Sequence, residues 1–334
     1  MMKLGIIGAS GFIGRSLIHG LDIPETKIIK FYQKLGDPSN GNETCRKLSI
    51  QHAKPADFKG VGSLILCASA TNPITAGNNY LEETRKNVLP HIHLLNVLKE
   101  TNIRHVIYLS SGGTVYGNQT RQPIDETCLI NPLNPYGYGK VCIENAINAI
   151  WRDHGRRYTI IRPSNPVGRY QLQSLGAHGL ITTAYSKIKN GEVMTIHGDG
   201  STVRDFFHVS DLCSLIDRIL ASKRESSAVI NASSATGHSI NQVIESLAHF
   251  LNIEPKLNYL PQKQPAIEKN VLRNKRACKL FDWSPDRDIN TIITLLQAHR
   301  ISLKSQNNLK NRSDHWLIPT AFPNWKISSL LSSF

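Results

Sequence analysis

Short, mostly apolar runs alternate with longer stretches of helical period along the first half of this chain. The runs are Leu4-Gly5-Ile6-Ile7, Lys27-Ile28-Ile29-Lys30-Phe31-Tyr32, Val61 to Ala68, His105-Val106-Ile107-Tyr108-Leu109 and Tyr158-Thr159-Ile160-Ile161-Arg162. Continuous apolar character, rather than strict alternation, is what a parallel strand covered on both faces requires. Between the runs the pattern predicts helices over about 11–21, 79–101 and 136–154. Strands and helices in alternation imply an α/β fold, a Rossmann-type doubly wound parallel sheet. Past residue 165 the elements shorten, with a helix near 179–189 and a turn at Gly198-Asp199-Gly200.

The turn after the first strand is Gly8-Ala9-Ser10-Gly11-Phe12-Ile13-Gly14. Glycines at these positions let backbone amides approach a pyrophosphate, and the helix N-terminus that follows offers unpaired N–H groups to the anion. The second strand should end on an acid if ribose hydroxyls are to be bound, yet the chain has Tyr32, Gln33 and Lys34. Both NAD and NADP therefore stay open as cofactors, with Lys34 or Arg15 placed to meet a 2′-phosphate.

A second constellation is Tyr136 and Lys140, four residues apart at the start of a helix. An ammonium beside a phenol favours the phenolate, which suits a general base. Tyr185/Lys189 and Tyr259/Lys263 share the spacing and read as packing or surface pairs. What sets Tyr136 apart is the hydroxyl-bearing segment Ser110-Ser111-Gly112-Gly113-Thr114-Val115-Tyr116-Gly117, delivered by the strand ending at Leu109. Functional residues in open α/β sheets gather at such carboxyl ends.

These features divide the chain into a dinucleotide-binding part, 1–165, a smaller C-terminal substrate-binding part, 166–296, interleaved with the end of the first, and a basic tail, 297–334. At 334 residues with 40% apolar content there is ample material for a core. The 39 basic residues against 25 acids give +14, which suits a phosphorylated small molecule. With no zinc-finger spacing, RNP-type motif or long basic helix, nucleic acid is not expected as a partner. The six cysteines show no CxxC pair or metal-ligand spacing, so no metal is expected and a reducing, cytoplasmic setting is. No run reaches the about 20 apolar residues needed to span a bilayer. The tail carries Trp316, Phe322, Trp325 and Phe334 among five basic residues and one acid, and its role stays open.

Taken together these residues resemble the extended short-chain dehydrogenase/reductase family, in its NAD(P)-dependent epimerase/dehydratase branch acting on nucleotide sugars. The match runs through Gly8, Gly11 and Gly14, Asn87, residues 110–117, Pro135-Tyr136-Gly137, Lys140 and Arg162-Pro163-Ser164-Asn165-Pro166. It continues through residues 198–206, His208, Asp211 and Asp282-Trp283-Ser284-Pro285. The resemblance implies that Tyr136 is the general base and acid, and that Lys140 tunes it and binds the nicotinamide ribose. Relatives carry Ser or Thr where this chain has Gly112, so Ser111 or Thr114 is the candidate third catalytic hydroxyl, Thr114 slightly favoured. Cofactor contacts are implied for Gly8, Ser10, Gly11, Phe12, Ile13, Gly14, Tyr32, Ala68, Asn87, Ser110 and Pro163, in addition to Tyr136 and Lys140. Asn165, Arg204 and Lys263 are the implied substrate ligands, with Lys263 and Ala266 standing where relatives place an Arg and an acid. The expected substrate is a nucleotide diphosphate sugar, UDP- or dTDP-linked, and the expected assembly a homodimer. The expected reaction is 4-epimerisation through a transient 4-keto sugar, in the service of surface polysaccharide synthesis. The alternative is NAD(P)H-dependent reduction of a nucleotide-linked 4-keto-6-deoxy sugar, and the remote one a non-catalytic nucleotide-binding protein. Dehydration is disfavoured because Thr114-Val115 lacks the Asp-Glu pair typical of dehydratases.

Overall fold

In a computed structural model, which describes residues 2–33, 44–152, 154–173, 179–262 and 267–298, seven parallel strands form the principal sheet. The first half of the chain runs β1 (Lys3–Ile7), α1 (Phe12–Gly20), β2 (Ile28–Tyr32), β3 (Cys45–Lys47), β4 (Val61–Leu66), α2 (Tyr80–Glu83), α3 (Leu89–Leu98), β5 (His105–Leu109), α4 (Gly112–Val115), α5 (Pro135–Arg152) and β6 (Arg157–Pro163). It continues through β7 (Asn165–Val167), α6 (Leu180–Lys189), β8 (Met194–His197), β9 (Val203–His208), α7 (Val209–Ala221) and β10 (Ala228–Ala232). The last elements are β11 (Gly237–Ser239), α8 (Ile240–Leu251), β12 (Leu257–Leu260), β13 (Lys269–Asn270) and α9 (Lys275–Phe281).

Strand order is β10-β6-β5-β4-β1-β2-β3, so the winding reverses between β1 and β4. That switch point opens a crevice beyond the carboxyl ends of both strands, where open α/β sheets bind ligands. All five residues of β5 are buried, as its unbroken apolar run requires. One face of the sheet packs Leu17 and Ile18 of α1, Leu212 and Ile216 of α7 and Phe281 of α9. The other packs Leu94, Leu95 and Leu98 of α3 and Ile143, Ile147 and Trp151 of α5.

Beyond β6 the chain leaves this sheet. β7 pairs with β9, β9 also pairs with β11 and β13, and β8 pairs with β12, while β10 returns to the edge of the principal sheet beside β6. A third core of Ile181, Tyr185, Val243 and Leu247 lies between α6 and α8. Tyr185 is thus a packing residue. Met1–Leu296 makes one compact unit. The tail residues singled out above lie outside the described residues, as do Lys34, Lys263 and Ala266.

The single helix expected over 79–101 is three segments: α2, a π-helical turn at Thr84–Val88, and α3. The cause is Pro90 in the first turn of α3, which has no N–H to donate to the carbonyl four residues back. The Leu89 amide reaches to the Thr84 carbonyl instead, widening the turn. The consequence is local and functional, since Asn87 sits in this turn and faces the crevice.

Candidate active site

The crevice is a cleft of about 250 Å³ whose walls include Gly8, Ser10, Gly11, Ala68 and Asn87. Gly8 has φ +96°, and a Cβ there would lie 2.6 Å from the Ala68 amide nitrogen. A Cβ on Gly14 would collide with the Gly8 carbonyl. These two glycines are therefore forced by geometry. Gly11 caps α1 without any side-chain hydrogen bond, so the first-turn amides remain available to an anion. A tight turn, an uncapped helix start and an adjoining groove fit a dinucleotide.

Alternation along β2 decides which of its residues meet that groove. Phe31 and Gln33 line it, whereas Tyr32 and Ile13 pack against the core on the opposite face. Tyr32 and Ile13 thus turn their side chains partly toward the core. The Ser110 hydroxyl is buried and donates to Glu144. Pro163 ends β6 as a buried residue, its carbonyl close to Gly112. Phe12 opens α1 with its ring near Gly168.

The Tyr136 helix is started by Asn134, whose Oδ1 accepts from the Gly137 amide at 2.8 Å, followed by Pro135 in the first helical position. Gly137 permits close docking on α4, because a Cβ there would lie 2.8 Å from the Thr114 carbonyl oxygen. This seats the start of α5 on α4. Lys140 Nζ lies 5.4 Å from the Tyr136 ring centroid and 5.1 Å from that of Tyr108, and donates to the Leu109 carbonyl at 2.9 Å.

The electrostatics of the pair differ from the simple expectation. Burial, with a smaller contribution from the nearby Glu83 carboxylate, pushes the Tyr136 phenol well above its ordinary value. Burial pulls Lys140 down to about 8, partly offset by Cys67, Glu83 and Glu144. Desolvation therefore sets the direction of both shifts in the protein alone, raising the phenol and lowering the ammonium.

The hydroxyl question narrows at Gly112, where a Cβ would run into Leu272 Cδ1 and sit 3.0 Å from the Arg162 carbonyl oxygen. A side chain there would require Leu272 to move. Thr114 is buried and its Oγ1 leans on the Ser111 carbonyl at 3.4 Å. Ser111 is half-buried, with its Oγ beside Gly113 in company with Asn165 Oδ1.

Asn165 opens β7 and donates to the Asp205 carbonyl at 2.9 Å. Its neighbour Arg204, on β9, donates to the Val203 carbonyl at 2.8 Å and has no acidic partner among the described residues. Burial alone lowers its pKa to about 10. Asp205 is not its counter-ion: that carboxylate is buried and accepts from Ser164 Oγ, Ser234 N, Ser234 Oγ and Leu272 N. A half-buried guanidinium with no carboxylate partner among the described residues keeps its donors available to an anion.

Two acids that the sequence did not single out complete the surroundings, Glu83 and Glu144, at 2% and 5% exposure. Both sit in helical sequence where an acid ordinarily faces water, so pattern alone gave no signal.

Comparison with known proteins agrees with this geometry. Residues 4–233 match the model of the NAD dependent epimerase/dehydratase family. A UDP-glucose 4-epimerase of Mycolicibacterium smegmatis is 26% identical over 300 residues, covering 85% of this chain and 94% of the relative. A dTDP-4-dehydro-6-deoxyglucose reductase of Escherichia coli is 25% identical over 292 residues, covering 84% and 92%. The crystal structure of a UDP-glucose 4-epimerase with UDP-glucose from Thermotoga maritima superposes with a TM-score of 0.80 at 23% identity, over 90% of this chain and all of that one. No helix among the described residues is long and apolar enough to cross a membrane.

Proposed function

Because the chain belongs to the NAD dependent epimerase/dehydratase family, we propose that it is a 4-epimerase of a nucleotide diphosphate sugar, UDP- or dTDP-linked, working through a transient 4-keto sugar. The observation that carries the reading is Arg204, a half-buried guanidinium without an acidic partner among the described residues, on β9, the strand that pairs with the one Asn165 opens. Its planar fork suits the diphosphate. When bound in the cleft, the dinucleotide supplies the hydride acceptor and donor that the sugar carbinol needs.

In this reading Tyr136 takes the proton of the C4 hydroxyl and later returns it. Lys140 holds a ribose hydroxyl of the cofactor while its ammonium favours the phenolate. Ser111, whose hydroxyl is the less enclosed of the two candidates, or Thr114 steadies the C4 oxygen. Asn165 and Arg204, with Lys263, grip the nucleotide end, leaving the sugar free to turn between its two faces. The exposed Tyr80, Leu81, Leu89 and Tyr138 favour a homodimer through the α2, α3 and α5 side. A cytoplasmic role in surface polysaccharide synthesis belongs to the same reading.

The test is incubation with UDP- and dTDP-sugars while following sugar products and nicotinamide absorbance together. Exchange between 4-epimers without net cofactor consumption is expected. Stoichiometric loss of NAD(P)H with a 4-keto sugar would instead establish the second reading, a reductase. The specific observation favouring that alternative is Gln33, not an acid, on the cleft wall after β2, which admits NADPH.

Three substitutions bear on the site. Arg204→Ala is expected to raise KM for the nucleotide sugar by about 10- to 100-fold, the worth of a charge-assisted pair, with a smaller change in kcat. Equal KM in variant and parent would remove Arg204 from the substrate site. Ser111→Ala is expected to lower kcat by about tenfold or more, against about threefold for Thr114→Ala. The reverse ranking would assign the third hydroxyl to Thr114.

A further inference from the structure

Glu83 ends α2 with its carboxylate enclosed. Oε2 accepts from Thr71 Oγ1 at 2.6 Å, and Oε1 from Asn87 Nδ2 at 2.9 Å. Asn87 Nδ2 also donates to Thr71 Oγ1 at 2.9 Å, while Asn87 Oδ1 accepts from the Ala70 amide at 2.8 Å. Three side chains thus close a ring around the segment 68–71, whose Ala68, Ser69 and Ala70 line the cleft.

The other side of the same carboxylate presses on α5. A Cβ built on Gly139 would lie 2.5 Å from Glu83 Oε1 and 2.8 Å from its Cγ, so the residue preceding Lys140 has no room for a side chain while Glu83 is present. No ion pair to Glu83 is seen among the described residues. Burying a carboxylate on neutral donors is costly, and the sequence tolerates that cost at the junction of the cleft wall and the catalytic helix.

We propose that Glu83 is a positioning residue, a clamp that fixes the segment 68–71 against the helix carrying Tyr136 and Lys140. The proposal rests on the dinucleotide reading of the cleft and is independent of whether the reaction is epimerisation or reduction. Its charge has a secondary effect, since it raises both Tyr136 and Lys140. Cys67, Tyr108, His91 and Glu144 face the same space from the neighbouring strands and helices.

The test is calorimetric titration of NAD⁺ into the full chain and its variants, with a melting curve for each. Glu83→Ala and Glu83→Met are expected to weaken binding about tenfold, and Glu83→Gln, which keeps volume and most hydrogen bonds, less than about threefold. Gly139→Ala should cost about tenfold in the parent and under about twofold in the Glu83→Ala background, because the obstruction has gone. The Gln and Met variants, alike in size, decide the case should Glu83→Ala fail to fold. The clamp is overturned if Met serves as well as Gln, if the Gly139→Ala cost is the same in both backgrounds, or if every variant binds as the parent does. A parent that binds neither NAD⁺ nor NADP⁺ overturns the cofactor reading itself, and this proposal with it.

Discussion

Tyr136→Phe is expected to lower kcat by about 10²- to 10⁴-fold, the span of a lost general acid–base group, with NAD⁺ affinity within about threefold of the parent. The phenylalanine keeps the ring at the start of α5 and removes only the oxygen that, in the proposed mechanism, exchanges a proton with the sugar. Lys140→Met should differ in kind. Its ammonium is held by the Leu109 carbonyl at 2.9 Å, and in the proposed mechanism it also holds the cofactor ribose, so both turnover and cofactor affinity should fall. The pH dependence follows from the electrostatics of the pair. Lys140 titrates near 8 and Tyr136 above its ordinary value. Below about 8 Lys140 is charged, so binding to the free protein that depends on the ammonium weakens as pH rises through that value. NAD⁺ titrations across this window, in parent and Lys140→Met, check the point: a parent curve that is flat with pH would detach Lys140 from the cofactor. A Tyr136→Phe variant that turns over as the parent does would end the mechanism.

The fold was legible because apolar runs report buried parallel strands directly. Gly8 and Gly14 reported a close-approach turn because a Cβ at either would collide with backbone. The chemistry was harder to read. Spacing placed Lys140 near Tyr136 correctly, but spacing contains no information about desolvation, and desolvation decides the sign of the shift on both groups. Tyr32 illustrates a second limit: it is one residue from Gln33, and a period of two sends neighbours to opposite faces. Glu83 and Asp205 were invisible for a third reason. Glu83 follows Glu82, which is solvent-exposed and paired with Lys86, and nothing in local composition tells the two acids apart. Asp205 follows Arg204 and invited a pairing, yet its partners come from Ser164, Ser234 and Leu272, up to 67 residues away. Gly112, a departure from the family pattern in sequence, becomes intelligible once Leu272 is seen against it.

Arg162→Met is expected to destabilise the protein by about 3–5 kcal/mol, the range for breaking a buried ion pair from one side. The Arg162 guanidinium meets Glu144 through Nη2 at 2.6 Å and through Nε at 3.1 and 3.2 Å, and donates through Nη1 to Tyr116 Oη at 2.9 Å. Tyr116 in turn donates to Asn231 at 2.7 Å, and Ser110 donates to Glu144. Burial acts to lower the Arg162 pKa, yet the bonds to Glu144 and Tyr116 outweigh it and hold the group above its ordinary value. Removing the arginine leaves a carboxylate in the interior with Ser110 as its remaining neutral donor. Removing both charges should be far less damaging. Glu144→Leu combined with Arg162→Met should recover most of the loss, since well-packed apolar groups can replace a buried pair at little net cost. Urea denaturation of the two single variants and the double variant measures this. A single-variant cost below about 1 kcal/mol would mean the pair is hydrated and contributes as a surface bridge does. The same network joins the ends of β5 and β6 to α4, α5 and β10. Turnover should therefore drop in Arg162→Met even though the guanidinium lies behind the cleft, and the double variant should regain stability ahead of activity if Ser110 no longer has an acceptor to fix the 110–114 turn.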